Sequence, residues 1–172
     1  DNKDPKTLRE YIVDEKGGVK TEGGFDVPND KIDENNLPLY VAKVDGETKY
    51  VVPVVGNGLW GAIWGYIALN DDCNTIYGVY FSHASETPGL GAKCSEPAFA
   101  DQFKGLDPTV KTLKVTKDGG DIDAITASTI TSRAFTDGVA TAVNVLAAIA
   151  GTPMLIDTAT GASPEWNPES EQ

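Results

Sequence analysis

Histidine, cysteine and long apolar runs are scarce in this 172-residue sequence, and each scarcity excludes a class of protein. His83 is the only histidine, so neither a multi-histidine metal site nor a Ser-His-Asp hydrolase is indicated, although one histidine can still act as a base. Cys73 and Cys94 are too few for a disulfide framework, and their spacing matches no metal site. We expect two buried thiols, with a single disulfide as the alternative in an oxidising compartment. No run of about 18 apolar residues, the length that spans a bilayer, is present.

Basic residues are also few, and the formal net charge is -12. This charge argues against nucleic acid or an anionic membrane surface as the partner. The length predicts one main domain that can bury a core. We predict an N-terminal helix and polar segment over 1–38, a central domain over 39–152 and an acidic tail over 153–172.

The first part of the chain predicts one helix followed by strands. The predicted elements are, in order, a helix over 5–15, a polar loop or edge segment over 21–38, a strand over 39–44, a turn at Asp45 and Gly46, and a strand over 50–55. Pro53 lacks a backbone N–H, so it indicates a sheet edge or a bulge.

Hairpins and short helices are predicted for the middle of the chain. The elements are strands over 62–69 and 75–82 joined by a turn at 70–72, a helix over 95–103 with Ser95 as its N-cap and Pro97 in its first turn, a strand over 110–116 and a Gly-Gly turn over 118–121. Alternating βαβ units are not apparent. The pattern therefore predicts an α+β fold, a mainly antiparallel sheet of hairpins with packed helices.

The best amphipathic segment follows a hydroxyl-rich stretch, 123–132. Apolar residues spaced by three and four predict one helical face, formed by Phe135, Val139, Ala142, Val143, Leu146 and Ala150. Gly151 and Pro153 predict its end. The hydroxyl cluster then lies near the helix N-terminus, where unpaired N–H groups and the helix dipole hold a phosphate well. The commoner role of such hydroxyls is helix capping.

Two glycine-rich loops precede this stretch. In the first, Gly58 and Gly61 flank Leu59 and Trp60, which allows close backbone approach and presents a flat ring; the alternative is that Trp60 is a core aromatic. The second, 83–91, contains Pro88 and Gly89, the central residues of a type II turn. It offers backbone N–H groups, Glu86 and Thr87 to a ligand, or is an ordinary tight turn. Lys93 follows, suited to a phosphate or to a solvated surface.

The residues Asp123-Ala-Ile-Thr126-Ala-Ser-Thr129 resemble the flavinylation motif Asp-x-x-Ser/Thr-Gly-Ala-Thr of bacterial membrane redox complexes. In that family the last Thr carries FMN through a phosphoester, a role that falls on Thr129. Ala127 stands where Gly is usual, and Ser128 where Ala is usual. A second match over 157–163 fits the written consensus if Ser163 ends it. We prefer Thr129, because a predicted amphipathic helix follows it.

Taken in order, the Gly-Leu-Trp loop, the Glu86–Gly91 loop and the 123–132 stretch resemble the C subunit of the Na⁺-translocating NADH:quinone oxidoreductase, over about 39–149. The central domain is then an FMN-binding domain. The resemblance implies a periplasmic domain behind an N-terminal membrane anchor, which this sequence does not contain. It implies covalent FMN that relays electrons between subunits toward ubiquinone, in a chain that is no complete enzyme alone. The resemblance also implies that a separate flavin transferase, using FAD and Mg²⁺, attaches the flavin.

The resemblance also implies the cofactor-binding residues. Besides Thr129, they are Trp60, Glu86, Thr87, Leu90, Gly91, Lys93, Ser128, Ile130 and Thr131, with Glu86, Thr87, Leu90 and Gly91 as ring or ribityl contacts. No catalytic residue and no metal ligand are implied. Two alternatives stay open: the related G subunit of the Rnf complex, and a non-redox periplasmic binding module that has lost the flavin, for which the replacements Ala127 and Ser128 are the best support.

Overall fold

A six-stranded antiparallel sheet with a long helix packed on one face forms the centre of the molecule in the computed structural model, which describes residues 8–13, 19–20, 27–32 and 36–150. The spatial order of the strands is β2-β1-β3-β4-β5-β6. The strands are β1 (Leu8–Val13), β2 (Val19–Lys20), β3 (Leu37–Val44), β4 (Glu47–Asn57), β5 (Ala62–Leu69) and β6 (Ile76–His83).

The remaining elements lie on and around this sheet. They are a 3-10 helix Asn29–Lys31, a 3-10 helix Gly91–Ser95, helix α1 (Pro97–Ala100), a 3-10 helix Asp101–Phe103, a parallel pair of two-residue strands β7 (Val115–Thr116) and β8 (Ile122–Asp123), and helix α2 (Thr129–Ala150). The predicted α+β fold with a mainly antiparallel sheet and packed helices is confirmed.

The predicted hairpins form where local turn chemistry favours them. Asp45 and Gly46 join β3 to β4 with positive φ of 52° and 82°, the backbone that a tight two-residue hairpin needs. Between β5 and β6, the Asp72 carboxylate accepts hydrogen bonds from the backbone N–H groups of Asn74 and Thr75, each at 2.8 Å. Both turns are therefore stabilised by residues within the turn itself.

The core lies between the sheet and α2. The predicted apolar stripe of α2 is buried from Phe135 to Leu146, against buried strand residues that include Val52, Val54 and Ile67. The rings of Phe81 and Phe135 lie 4.2 Å apart between centroids and are surrounded by Phe99 and Phe103. Each fully buried side chain of this size contributes about 1.5–3 kcal/mol. This packing fixes α2, and with it the hydroxyl-rich stretch at its start.

The predicted N-terminal helix over 5–15 is wrong for the residues that the structure describes there. Leu8–Val13 is strand β1, and all six residues pair with β3, from Leu8 with Ala42 to Val13 with Leu37. The spacing of Leu8, Tyr11 and Ile12 fits a helix face, but pairing with a neighbouring strand outweighs that weak local preference. The predicted polar segment over 21–38 also ends early, because Leu37 already belongs to β3.

Three further predictions need correction. Ser95 is not an N-cap: its hydroxyl donates to the Ala92 carbonyl inside a 3-10 helix, and Glu96 holds the cap position of α1. Only Val115–Thr116 of the predicted strand 110–116 is extended, and Val110 is exposed in a turn. The edge predicted from Pro53 is not an edge strand, because β4 lies between β3 and β5. The pairing of β4 with β3 nevertheless extends no further than Val51, so Pro53 lies beyond that pairing.

Helix α2 begins at Thr129, inside the hydroxyl-rich stretch. Its predicted end at Gly151 and Pro153, and the acidic tail with Ser163, lie outside the described residues. Within the described ranges, no helix is both long and apolar enough to cross a membrane.

Candidate functional site

The hydroxyl-bearing residues at the start of α2 differ in their exposure. Ser128, Thr131 and Ser132 are buried, whereas Thr129 and Ile130 are exposed. Thr129 is the first residue of a 22-residue helix. The first backbone N–H groups of a helix have no acceptor within it, and the dipole is positive there. A threonine is therefore exposed at the end of the helix that favours negative charge.

The loop before α2 is held by Ser132. Its hydroxyl donates to the Ser128 carbonyl at 2.9 Å and accepts from the Ile125 N–H at 2.9 Å. The Ser128 N–H in turn donates to the Ile125 carbonyl at 2.9 Å. Within this loop Ala127 has a positive φ of 56°, a conformation that favours glycine. Ala127 occupies the glycine position of the flavinylation motif, and its backbone conformation is one that favours glycine.

Glu86 joins three segments that are distant in sequence. It is buried, with 4% of its surface exposed. One carboxylate oxygen, Oε1, accepts a hydrogen bond from the Trp60 N–H at 2.9 Å, and the other, Oε2, accepts from the Thr131 hydroxyl at 2.6 Å. The Leu59 N–H approaches the same Thr131 oxygen at 3.4 Å. The Gly-Leu-Trp loop, the Glu86–Gly91 loop and the start of α2 therefore meet at one carboxylate.

Two glycines allow this close approach. A Cβ on Gly58 would lie 2.5 Å from Glu86 Oε1, and a Cβ on Gly91 would lie 2.2 Å from Oε2 and 3.0 Å from the Ser128 hydroxyl oxygen. Neither contact is compatible with a side chain while the carboxylate stays in place. The Glu86 N–H donates to His83 Nδ1 at 3.2 Å, so a neutral His83 carries its proton on Nε2.

Trp60 projects from this junction into solvent. Its side chain is 64% exposed, so the interpretation of Trp60 as a core aromatic is wrong. Its backbone is nevertheless held at both polar groups, because its carbonyl accepts a 2.8 Å hydrogen bond from the Ser85 hydroxyl. Leu59 and Leu90 are exposed as well. A flat ring and two apolar side chains are thus available on the surface.

A cleft of about 400 Å³ lies beside the loop that precedes α2. It is lined by Lys93, Glu96, Ala98, Phe99, Gln102, Asp123, Ala124, Ile125 and Thr126. The structure therefore brings Lys93 to the same cleft as Asp123 and Thr126 of the motif. Thr87 is exposed, and its carbonyl accepts from the N–H groups of Leu90 and Ala92, which closes the Pro88-Gly89 turn.

Both cysteines are buried free thiols, as predicted. Burial raises the pKa of Cys73 to about 12, and the neighbouring Asp72 and Asp71 charges add to the effect. Burial also raises the pKa of Cys94 to about 11, with the Glu86 charge as the next cause. Across the part of the chain that the structure describes, no group of three or more His, Cys, Asp and Glu side chains is placed to hold a metal ion.

The family described as FMN-binding domain matches residues 58–144. The chain belongs to the FMN-binding domain family. The matched range contains all three segments that meet at Glu86 and the exposed Thr129.

Two of the proteins to which this chain is similar are subunits of different named complexes. The C subunit of the Na(+)-translocating NADH-quinone reductase of Vibrio anguillarum is 33% identical over 109 residues, covering 57% of this chain and 43% of that protein. The G subunit of the ion-translocating oxidoreductase complex of Methanosarcina acetivorans is 38% identical over 122 residues, covering 69% and 64%. This chain thus spans less than half the length of the Vibrio relative.

A solved structure agrees with both the family and the fold. The crystal structure of the C subunit of the Na(+)-translocating NADH-quinone reductase from Parabacteroides distasonis has a TM-score of 0.74 and 35% identity, covering 84% of this chain and 79% of that one. The resemblance predicted from the sequence is therefore confirmed at the level of the family.

Two residues hold the site in ways that the sequence analysis does not predict. Ser132, the last residue of the 123–132 stretch, fixes the motif loop. Gln102, from a 3-10 helix outside the motifs, lines the same cleft as Asp123. A single hydroxyl or amide gives no local pattern that predicts a partner in another segment. The roles of the predicted flavin contacts, and of Thr129 in attachment, stay predictions.

Proposed function

We propose that this FMN-binding domain carries its FMN covalently, through a phosphoester to Thr129, as an electron-relay component of a Na⁺-translocating NADH:quinone oxidoreductase. The observation that carries the proposal is the exposed Thr129 hydroxyl at the first residue of a long, well-packed helix, while the adjacent Ser128 hydroxyl is buried. Thr126 is exposed too, but it precedes the helix.

The residues present fit a covalently held flavin phosphate. The hydroxyl of Thr129 is accessible to a modifying enzyme, and the helix N-terminus favours a phosphate by about 0.3–1 kcal/mol in exposed positions. The exposed Leu59, Trp60 and Leu90 supply apolar surface of the kind that borders a flat heteroaromatic ring. When bound, FMN supplies the redox chemistry, and the protein supplies position and electrostatics.

The attachment step is a phosphoryl-group transfer from FAD, catalysed by a separate flavin transferase with Mg²⁺. The Thr129 oxygen attacks the flavin-side phosphorus of FAD, so an oxygen–phosphorus bond forms while the pyrophosphate bond breaks. AMP leaves, and the hydroxyl proton passes to a base. We place this domain on the periplasmic side of the membrane, held by an anchor that precedes it. A covalent bond prevents loss of FMN from the domain there, outside the cytoplasm.

Intact mass under denaturing conditions tests the proposal, after co-expression with an active flavin transferase and followed by peptide mapping. We expect one FMN less one water on the peptide that contains Thr129. An unmodified mass, with the transferase active on a control substrate, would favour the non-redox binding module. Modification of the tail peptide with Ser163 would move the attachment site.

The Rnf-type G subunit is the second candidate, favoured by the 38% identity to the Methanosarcina relative. The two assignments share the flavin chemistry and differ in the complex. Purification from native membranes, with identification of the co-purifying proteins, separates them. Dependence of electron transfer in that preparation on Na⁺ tests the cation.

A further inference from the structure

We infer that Glu86 is a positioning residue, whose carboxylate fastens the Trp60 loop to the first turn of α2 and so sets where the Trp60 ring stands relative to Thr129. The part of this inference that concerns the flavin rests on the proposed function. It assigns Glu86 a role through other residues, in place of the direct ring or ribityl contact that the sequence predicts.

The hydrogen bonds of Glu86 leave little of its carboxylate free for a ligand. Each oxygen accepts from a different segment: Oε1 from Trp60, 26 residues away, and Oε2 from Thr131, 45 residues away. The backbones of Gly58 and Gly91 pack directly against the same two oxygens. The carboxylate is therefore enclosed by protein, and its structural effect passes through the groups that it holds.

Burial makes these bonds sensitive to change. Among the residues that the structure describes, no lysine or arginine forms a salt bridge with Glu86. Its charge is stabilised by the two hydrogen bonds and by its place beside the N-terminal turn of α2. A buried charge that loses a hydrogen-bond partner must move or recruit water, because an unpaired buried carboxylate is costly.

The exposed ring on a fastened backbone is the second observation. Trp60 is largely exposed, yet its N–H is bonded to Glu86 and its carbonyl to Ser85. The loop thus holds the ring at the surface, and the ring adds little to the hydrophobic core. An exposed aromatic side chain on a fastened backbone, in a loop bonded to the helical turn that carries Thr129, is suited to contact a group attached at Thr129.

Hydrogen exchange of the Trp60 amide in the flavin-free full chain tests the link without any flavin. We expect Glu86→Ala to speed this exchange by about tenfold or more, since a hydrogen bond to a charged group is lost. Thr131→Val, which removes one donor and keeps the shape, should speed it less. Glu86→Gln keeps an acceptor for the Trp60 N–H and should restore slow exchange.

Thr136→Val is the matched control. Thr136 is buried in the same helix, and its hydroxyl donates to the Ser132 carbonyl within the helix. Exchange at Trp60 should be unchanged in this variant. Unchanged exchange in Glu86→Ala overturns the inference. If Glu86→Ala does not fold, Thr131→Val decides, and exchange at Trp60 equal to that of Thr136→Val overturns it.

Flavin emission in the flavinylated protein tests the effect on the site. We expect emission to rise in Thr131→Val and not in Thr136→Val, because a displaced indole no longer quenches the flavin. Faster amide exchange with unchanged emission overturns the positioning of Trp60 toward the flavin. A wild-type protein that never acquires flavin refutes the proposed function, while the exchange result still decides whether Glu86 fastens the loop.

Discussion

The side-chain amide of Gln102 makes a hydrogen bond in each direction with the backbone of Asp123. The Asp123 N–H donates to Gln102 Oε1 at 2.7 Å, and Gln102 Nε2 donates to the Asp123 carbonyl at 3.2 Å. The pair imitates a strand neighbour for β8, whose one strand partner among the described residues is the two-residue β7. Gln102 thereby fixes Asp123, the first residue of the stretch that resembles the flavinylation motif.

Replacement of Gln102 by methionine should loosen this start of the motif. Gln102→Met keeps the length of the side chain and removes both bonds, so we expect the free energy of unfolding to fall by about 1–2 kcal/mol. Flavin attachment should also slow. Urea unfolding and a time course of attachment measure the two effects. Asn144→Leu, which removes an exposed amide bonded within α2, is the control and should leave the attachment rate unchanged.

The positive φ of Ala127 predicts a gain on replacement by glycine. Ala127→Gly removes the strain of a left-handed alanine, which we expect to raise the free energy of unfolding by about 0.5–1 kcal/mol. Ala124→Gly is matched, because Ala124 is in the same loop without a positive φ, and it should destabilise slightly. A loss of stability in Ala127→Gly equal to that in Ala124→Gly would contradict the prediction.

Thr129 is expected to be the sole attachment residue. Thr129→Ala should abolish covalent flavin while leaving stability within about 0.5 kcal/mol, since the side chain is exposed. Thr126→Ala and Ser163→Ala should be flavinylated like the wild type. In-gel flavin fluorescence after denaturation measures all three. Retention of flavin in Thr129→Ala together with its loss in Ser163→Ala would place the site in the tail.

The two cysteines should resist alkylation in the folded protein. Their pKa values, raised to about 12 for Cys73 and about 11 for Cys94, keep both thiols protonated at pH 8, and both are buried. We expect iodoacetamide to modify neither until urea unfolds the chain, after which both should react. Rapid stoichiometric labelling of either thiol under native conditions would contradict the buried, protonated state.

Asp72 should make stability depend on acid pH. Burial raises its pKa, but hydrogen bonds from Thr75 and Asn74 outweigh that effect and hold the pKa below its ordinary value. Because its pKa is lower in the folded state, Asp72 stabilises the protein at pH values above its unfolded pKa of about 4. This stabilisation disappears as the pH falls through the folded-state pKa. Asp72→Ala should therefore cost about 1 kcal/mol or less at pH 7 and less still at pH 3.

Chemical denaturation at both pH values, compared with the wild type, measures the contribution of Asp72. Asp71→Ala provides the control, because Asp71 is exposed in the same turn and its carboxylate does not accept the Asn74 and Thr75 hydrogen bonds that Asp72 accepts. A cost for Asp72→Ala that grows toward pH 3 would have the wrong sign and would reject the assignment.

The elements that the sequence predicts well are those specified by neighbouring residues. The β3–β4 and β5–β6 hairpins follow from alternation and from turn residues such as Gly46, and α2 follows from its apolar stripe. The sequence predicts less well where distant partners decide. The predicted N-terminal helix is wrong because β1 pairs with β3. The donors to the Glu86 carboxylate come from segments that no local pattern identifies.

The order in which the chain closes its contacts limits when it can be modified. The hairpins join residues close in sequence, whereas the bond between Glu86 and Thr131 closes a separation of 45 residues and requires the last described helix to dock. Ordering long segments before such contacts form is slow relative to local pairing. We therefore expect Thr129 to reach its exposed position late in folding, so that a transferase acting there would modify the folded domain and not a nascent chain.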